Sequence, residues 1–334
     1  MTCIASVGTA LPGEPVDNAT LAARLGVSER WIRAFIGTRS RHFSLDINTG
    51  DRTCTMAELG ARAARQAMDR AGLTAKDVGF LVLATATPDD LMPATVNRVA
   101  DLLGVNDIPT YQLQSGCAGA VQALDLGTML IARGHRAGLV LGAESCARHL
   151  RFDLDCTNLP NRELVNYVLF GDAAGAAVLT AEPVAGGMAV RTVLNQLIGL
   201  GQQPGQQIRW YGAVGKQDDE PAIAEDYKAI ERRVPVLAGE ILQWLLGETE
   251  WTADDVDFLL PPQLSVKMTG RIVEELGLPR AKEISCVGET GNTGNALPFL
   301  QLDLMGGLPP GQKAAVIAVE SSKWIKGGFA LEGV

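Results

Sequence analysis

The chain has no run of lysine and arginine, no C-x-x-C pair and no uninterrupted apolar stretch long enough to cross a bilayer. The first absence, together with a net charge of −9, argues against nucleic acid as a partner, because a phosphate-tracking surface needs a basic stripe. The second removes a zinc site, so no metal is expected. Six cysteines (Cys3, Cys54, Cys117, Cys146, Cys156 and Cys286) in 334 residues are also too sparse for a disulfide scaffold. Each defaults to a small buried hydrophobe with an inert thiol. The third absence excludes a membrane span and a membrane partner. The opening MTCIASVGTALPG lacks the basic and continuous apolar regions of a signal peptide. A soluble, cytoplasmic protein is expected. At 47% apolar residues it can bury a large core, as one big domain or two fused halves.

What the chain does contain is a repeated pattern. LTAKDVGFLVL at 73–83 is echoed by WTADDVDFLL at 251–260. Each is followed by a helix-like stretch ending in Leu-Gly, around 96–104 and 269–277. A small-residue turn comes next: Ser-Gly-Cys-Ala-Gly at 115–119 and Thr-Gly-Asn-Thr-Gly at 290–294. Each half closes on an apolar strand ending in Glu-Ser, at Glu144-Ser145 and Glu320-Ser321. The offset is 178 at the first landmark (251 − 73) and 175 from Cys117 to Asn292 (292 − 117). The two halves, 1–182 carrying Cys117 and 183–334 carrying Asn292, are thus expected to face each other across a pseudo-twofold axis, with thiol and amide at equivalent points.

The runs 80–86, 138–142, 175–179 and 314–319 are short, apolar and branched, and read as buried strands. Ala/Leu/Arg-rich segments such as 56–71 lie between them with one apolar helical face, so the fold class is α/β with helix-covered sheets. Thr74 and Thr252 read as caps of short helical turns feeding the strands. Segment 198–222, rich in glycine, proline and polar residues, reads as a loop or flap, either a lid or an inert excursion. A helix over about 223–246 is predicted to follow it.

Cys117 lies between the strand-like 110–113 and the helical 118–133. A thiol at a helix N-terminus meets unpaired N–H groups and the positive end of the backbone dipole. Both favour the thiolate and predict a pKa below the usual ~8.5. The flanking small residues allow close approach, and the same amides can hold an oxyanion. Two readings stand, a buried structural cysteine and a nucleophile; the matching turn in the other half favours the second.

Several blocks carry a family resemblance: Glu29-Arg30-Trp31-Ile32 with Gly37-Thr38-Arg39, the Gly-Cys-Ala-Gly around Cys117, Phe170-Gly171-Asp172-Ala173-Ala174-Gly175-Ala176, and Gly291-Asn292-Thr293-Gly294. In order and spacing the chain resembles the β-ketoacyl-acyl-carrier-protein synthase III group of the thiolase superfamily, from about residue 2 to the C-terminus. The resemblance implies a thiolase-like five-layered αβαβα fold of two pseudo-equivalent halves, a homodimer and an acyl-S-Cys117 intermediate. It implies no cofactor beyond the substrate thioester of CoA or of a carrier-protein phosphopantetheine.

The pattern breaks at the family's Cys-His-Asn set. Where the family has a Pro-His-Gln-Ala-Asn-like block, this chain has Leu260-Pro261-Pro262-Gln263-Leu264-Ser265, so Pro262 stands at the histidine position and Ser265 at that block's asparagine. Proline offers no N–H and no side-chain donor, and loss of one oxyanion donor typically costs roughly 10²–10³ in rate. Among the three histidines (His42, His135, His149), His149 is the candidate substitute base; its alternative is a satisfied polar residue near Arg148 and Arg151. The C-terminal glycine run of the family is Glu320-Ser321-Ser322-Lys323-Trp324 here. The adenine-clamping arginines align near Phe35 and Leu164, while Trp31 is kept. On the carrier-docking helix Lys267 retains the basic position, whereas Glu274 and Glu275 replace basic ones. Met92, in the 89–93 loop, aligns with the residue that caps the neighbouring subunit's acyl channel.

The leading expectation is a synthase-III-like acyltransferase of natural-product (polyketide-type) biosynthesis. Cys117, assisted by Asn292, takes an acyl group from acyl-CoA or an acyl carrier protein and passes it to a small-molecule acceptor. Decarboxylative Claisen condensation with an unconventional base is the alternative. A non-catalytic thiolase-fold subunit is a third reading, against which Cys117 and Asn292 speak.

Overall fold

The computed structural model describes residues 1–152, 159, 161–209 and 223–334. Cys156 and residues 210–222 of the expected flap lie outside the described residues. The first half runs β1 (Thr2–Ala10), β2 (Val16–Asp17), α1 (Asn18–Leu25), α2 (Glu29–Phe35), β3 (Ser40–Arg41), α3 (Met56–Ala71), β4 (Leu81–Thr85), α4 (Thr95–Leu103), β5 (Thr110–Gln114), α5 (Gly119–Ala132), β6 (Ala137–Glu144), α6 (Asn161–Leu169) and β7 (Ala173–Thr180). The second runs β8 (Met188–Leu197), β9 (Gln206–Ile208), β10 (Ile223–Glu225), α7 (Tyr227–Thr249), β11 (Phe258–Leu260), α8 (Val266–Leu276), β12 (Lys282–Glu283), α9 (Val287–Thr290), α10 (Leu297–Met305), β13 (Lys313–Glu320) and β14 (Ile325–Gly333).

The apolar runs become strands because both of their faces are covered. Every residue of β4 and β6 is buried, and each Leu or Val so placed contributes ~1.5–3 kcal/mol over an exposed one. Helix α3 starts on a reciprocal capping box, Thr55 with Glu58, and stops at Gly72 in the left-handed region. Thr74 and Thr252 each form a capping box with the aspartate three residues on, Asp77 and Asp255. The repeated T-x-x-D is therefore the same helical turn made twice.

The strand order is β5-β4-β6-β7-β1 in the first half and β12-β11-β13-β14-β8 in the second. The sense of each pairing repeats as well: β4 is parallel to β5 and β6, and β11 to β12 and β13, while the remaining pairs are antiparallel. The half-sheets join where Thr2–Ile4 of β1 pairs with Met188–Val190 of β8, so hydrogen bonding runs through ten strands. Helices α5 and α10 lie between the half-sheets, α5 touching β4 and β6 on one side and β8 and β14 on the other. Helices α3 and α4 cover the first half-sheet outside, and α7 and α8 the second. These are the five layers expected. The central core interleaves Val121 and Leu124 of α5 with Phe299 of α10 and Phe329 of β14.

One helix boundary departs from expectation. Residues 223–225, predicted as helix, are strand β10, paired antiparallel with β9. The helix begins at Tyr227 because the Asp226 side chain accepts from Ala229 N at 3.0 Å and caps it. Among the described residues no helix is long and apolar enough to cross a membrane.

Candidate active site

The 115–119 turn leaves β5 and enters α5 across the half-sheet boundary. Ser115 Oγ donates to Glu320 Oε2 at 2.8 Å, and Ala118 N approaches the same oxygen at 3.4 Å. Gly116 fits closely here: a Cβ would lie 3.2 Å from the Glu320 carboxyl carbon. Cys117 thus sits just before Ala118, the N-cap of α5. The mirror-image packing occurs at Gly294 (φ 52°), where a Cβ would lie 2.8 Å from Glu144 Cγ. Each half therefore seats its turn on the strand-ending glutamate of the other.

This packing corrects the pairing of Cys117 with Asn292. Gly116 and Gly294 are 178 apart (294 − 116), the offset of the first repeat landmark, and that register sets Cys117 opposite Asn295 (295 − 117 = 178). The same offset relates Ala118 and Val121, which pack on Gly327, to Ala296 and Phe299, which pack on Gly175. The offset of 175 arose from matching two glycine-flanked turns one helical turn apart. Asn295 holds the Cys117 turn: its Nδ2 donates to Ser115 O (2.8 Å) and Glu144 Oε1 (2.5 Å), and its Oδ1 accepts from Ala120 N (3.1 Å).

Asn292 nevertheless reaches the cysteine. Its backbone bridges to Phe170, with N donating to Leu169 O (2.9 Å) and O accepting from Gly171 N (3.1 Å). The Phe-Gly-Asp block is thereby the seat of the Asn292 turn, and Asp172 ties it down by accepting from Ser44 N (2.8 Å), Ser44 Oγ (2.6 Å) and Ala147 N (3.0 Å). Gly294 N donates to Asn292 Oδ1 at 3.0 Å. That bond fixes the amide orientation, and the NH₂ group is what the side chain can offer to a carbonyl oxygen.

Cys117, Asn292, Pro262, Gln263, Pro298 and Gln301 line one small cavity. Pro262 therefore stands beside the cysteine and asparagine. Ser265 does not line this cavity; it caps α8, accepting from Met268 N at 3.3 Å, and faces an outer cavity with Phe35, Tyr227, Lys267 and Arg271. On its other side Cys117 shares a second small cavity with Glu144, His149, Phe170, Gln206 and Ile223. His149 thus reaches the cysteine's surroundings, but burial, then the Arg148 charge, lowers its pKa to about 4.

The thiol is not depressed as the helix terminus predicted. Burial first, then the charges of Glu320, Glu144 and Glu225, push Cys117 up to about 12. Desolvation and three carboxylates outweigh the amide dipoles, so the resting group is the neutral thiol. Glu144 is itself raised to about 7 by burial, although Thr87 Oγ1 (2.7 Å), Ala86 N (3.0 Å) and Asn295 Nδ2 all donate to it. Glu144, Glu320 and Asn295 were not singled out as site residues. The repeated Glu-Ser strand ending was the available signal for the two glutamates.

Beside the outer cavity, Trp31 stacks on Phe35 (5.4 Å between centroids, 7° between planes), and Phe35 lies 6.5 Å from Tyr227. Lys267 Nζ donates to Ala34 O, and Arg271 pairs with Glu275 at 2.8 Å. Met92 lies far from these residues in sequence and is 87% exposed, on a loop anchored by Asp89, which accepts from Met56 N (3.1 Å) and Ala57 N (2.8 Å). Strand β5 is the last of its half-sheet.

A duplicated five-stranded unit with a cysteine at the head of one central helix, facing an asparagine turn from the other half, defines a thiolase-fold acyl-transferring enzyme. Comparison with known proteins narrows this class. Residues 111–195 match the 3-oxoacyl-[acyl-carrier-protein (ACP)] synthase III family, and residues 246–320 its C-terminal family. The β-ketoacyl-[acyl-carrier-protein] synthase III of Rhizorhabdus wittichii is 31% identical over 92% of this chain and 92% of its own length. The chain belongs to the β-ketoacyl-[acyl-carrier-protein] synthase III family. Among solved structures, AbyA1, a tetronic acid condensing enzyme, is 52% identical with a TM-score of 0.96 over 100% of both chains. FabH, the 3-oxoacyl-(acyl carrier protein) synthase III of Pseudomonas aeruginosa PAO1, is 27% identical with a TM-score of 0.84, covering 99% of this chain and 98% of that one.

Proposed function

We propose that Cys117 accepts an acyl group from a CoA or carrier-protein thioester and passes it to the hydroxyl of a small-molecule acceptor. The observation that carries the reading is the lining of one cavity by Cys117, Asn292 and Pro262. A thiol and one amide donor suffice to attack a thioester and hold its oxyanion. Decarboxylating a malonyl thioester asks for a further donor to the enolate oxygen, and Pro262 supplies none. The likeness to a tetronic acid condensing enzyme supports a hydroxyl acceptor. A tetronic acid ring is a lactone, and its ester bond is an acyl group joined to a hydroxyl. Its closure also needs a carbon–carbon bond, and that step is the second reading, Claisen-type condensation at the same cysteine.

In this reading the pantetheine arm enters past Trp31 and Phe35, and Lys267 and Arg271 meet an acidic carrier; the protein brings no cofactor of its own. Exposed Met92 and Leu91 on the Asp89-anchored loop, with β5 at the sheet edge, support a homodimer in which Met92 closes the neighbour's acyl channel. The test is intact-protein mass after exposure to acyl-CoA and acyl-carrier thioesters, then to a panel of small-molecule hydroxyl acceptors. Acylation of Cys117 that discharges to a hydroxyl is expected. A protein that never acquires an acyl mass would overturn the reading.

A further inference from the structure

Cys117 is a neutral thiol at rest, and attack on a thioester requires that its proton go somewhere. Three carboxylates bear on it: Glu320, Glu144 and Glu225. Two are committed. Glu144 accepts on both oxygens, from Ala86 N and Asn295 Nδ2 on one and Thr87 Oγ1 on the other. Glu320 likewise accepts on both, from Ser115 Oγ and Ala118 N on one and Ser322 Oγ on the other.

Glu225 is different. Its Oε1 accepts from Gln206 Nε2 at 2.6 Å, whereas its Oε2 is buried with no hydrogen-bond partner among the described residues. An ionisable oxygen buried without a donor is costly, so it marks a place where a partner is supplied in function. The residue ends β10 and its holder begins β9. The same hairpin puts Gln206, Ile208 and Ile223 into the wall of the Cys117 cavity, beside His149. Gln206 therefore touches both the cavity and the carboxylate and fixes the orientation of the latter.

The geometry points to Glu225 as the general base of this site, taking the proton of each attacking group and returning it to the departing sulfur. In loading, the Cys117 S–H proton passes to Glu225 through water in the cavity that Gln206 lines, as sulfur bonds to the acyl carbon. The bond from that carbon to the pantetheine sulfur breaks, and the departing thiolate takes the proton from the Glu225 carboxyl. In discharge the acceptor O–H proton passes to Glu225 as oxygen bonds to the acyl carbon. The bond to Cys117 breaks and its thiolate is reprotonated. Burial sets the Glu225 carboxyl at about 7, where an acid–base group serves both directions at neutral pH, while His149 at about 4 is too weak a base.

This assignment rests on the acyl-transfer reading, and the experiment separates the two. Single-turnover loading of wild type, Glu225→Gln and Glu225→Asp is followed by intact mass with CoA thioesters from acetyl to lauroyl; iodoacetamide alkylation of Cys117 at the same pH is measured in parallel. Loading in Glu225→Gln is expected to fall about a hundredfold, with part of it recovered in Glu225→Asp. Alkylation, which needs the same proton removed, should fall with it and recover likewise in Glu225→Asp. Wild-type loading rates in Glu225→Gln, or a parallel loss of loading and alkylation that Glu225→Asp does not relieve, would overturn the assignment alone. A wild-type protein that loads from no donor would overturn the acyl-transfer reading, and this assignment with it.

Discussion

The turns at 115–119 and 290–295 do the same structural work in opposite halves, and they differ in what they leave unspent. Each presses a glycine against the strand-ending glutamate of the other half. At the pseudo-equivalent position one turn carries Asn295, whose amide spends both its groups on Ser115, Glu144 and Ala120. The other carries Cys117, whose sulfur takes no part in that lattice and opens onto two cavities. A duplicated scaffold has thus kept the support in one copy and released the position for chemistry in the other.

The largest effect should come from deleting the released group. Cys117→Ala is expected to abolish acyl loading while the unfolding midpoint stays within ~1 kcal/mol of wild type, since a thiol outside the lattice leaves no partner orphaned. Intact mass and urea unfolding measure the two. Loading that survives would mean another cysteine carries the acyl group.

Two asparagine substitutions sharpen the contrast. Asn295→Ala strands Ser115 O and Ala120 N and takes one donor from Glu144, and should cost ~3 kcal/mol or more of stability. Asn292→Ala loses one bond to Gly294 N and should cost only ~1 kcal/mol, yet slow acyl transfer roughly 10²–10³-fold by removing an oxyanion donor. Denaturant midpoints and single-turnover rates separate the two; equal destabilisation would remove the distinction. In the same vein Gly294→Ala, strained by a positive φ and a 2.8 Å contact, should destabilise more than Gly116→Ala at 3.2 Å, by ~1–3 against ~1 kcal/mol.

How far these distinctions were legible in sequence follows from how local each one is. The capping turns at Thr74 and Thr252, the buried strands and the Cys117 turn depend on neighbours a few residues away, and all were readable. Strands β8 and β14 were not: the first mixes buried and exposed positions without a continuous apolar run, and the second is glycine-rich. The register of the two halves was misread by three positions at the asparagine turn, since glycine-flanked motifs align equally well a helical turn apart. The raised thiol pKa was also out of reach, because Glu320 lies 203 residues from Cys117 (320 − 117) and only the fold brings it near. Glu225, on a short strand at the end of the expected flap, had no motif at all.

The smallest effect is on stability against pH. Glu144 and Glu225 are raised to about 7 from an ordinary 4.5, chiefly by burial. A carboxyl raised in the fold binds its proton more tightly there than in the unfolded chain. Its contribution is complete below about 4.5 and is lost as pH rises through about 7. The unfolding free energy should therefore decline across that window by ~1–3 kcal/mol, and Glu225→Gln should flatten part of the slope. A flat profile that Glu225→Gln leaves unchanged would mean that these carboxyls are solvated.

The central claim is that acyl-Cys117 is resolved by a hydroxyl and not by a malonyl-derived carbanion. The measurement is CO₂ release and β-ketoacyl product from wild-type protein given an acyl thioester that loads Cys117 and then a malonyl thioester. The account predicts persistent acyl-Cys117 with little CO₂, and some decarboxylation gained in Pro262→His. Conversion to a β-ketoacyl product with stoichiometric CO₂ at ordinary enzyme rates would contradict it.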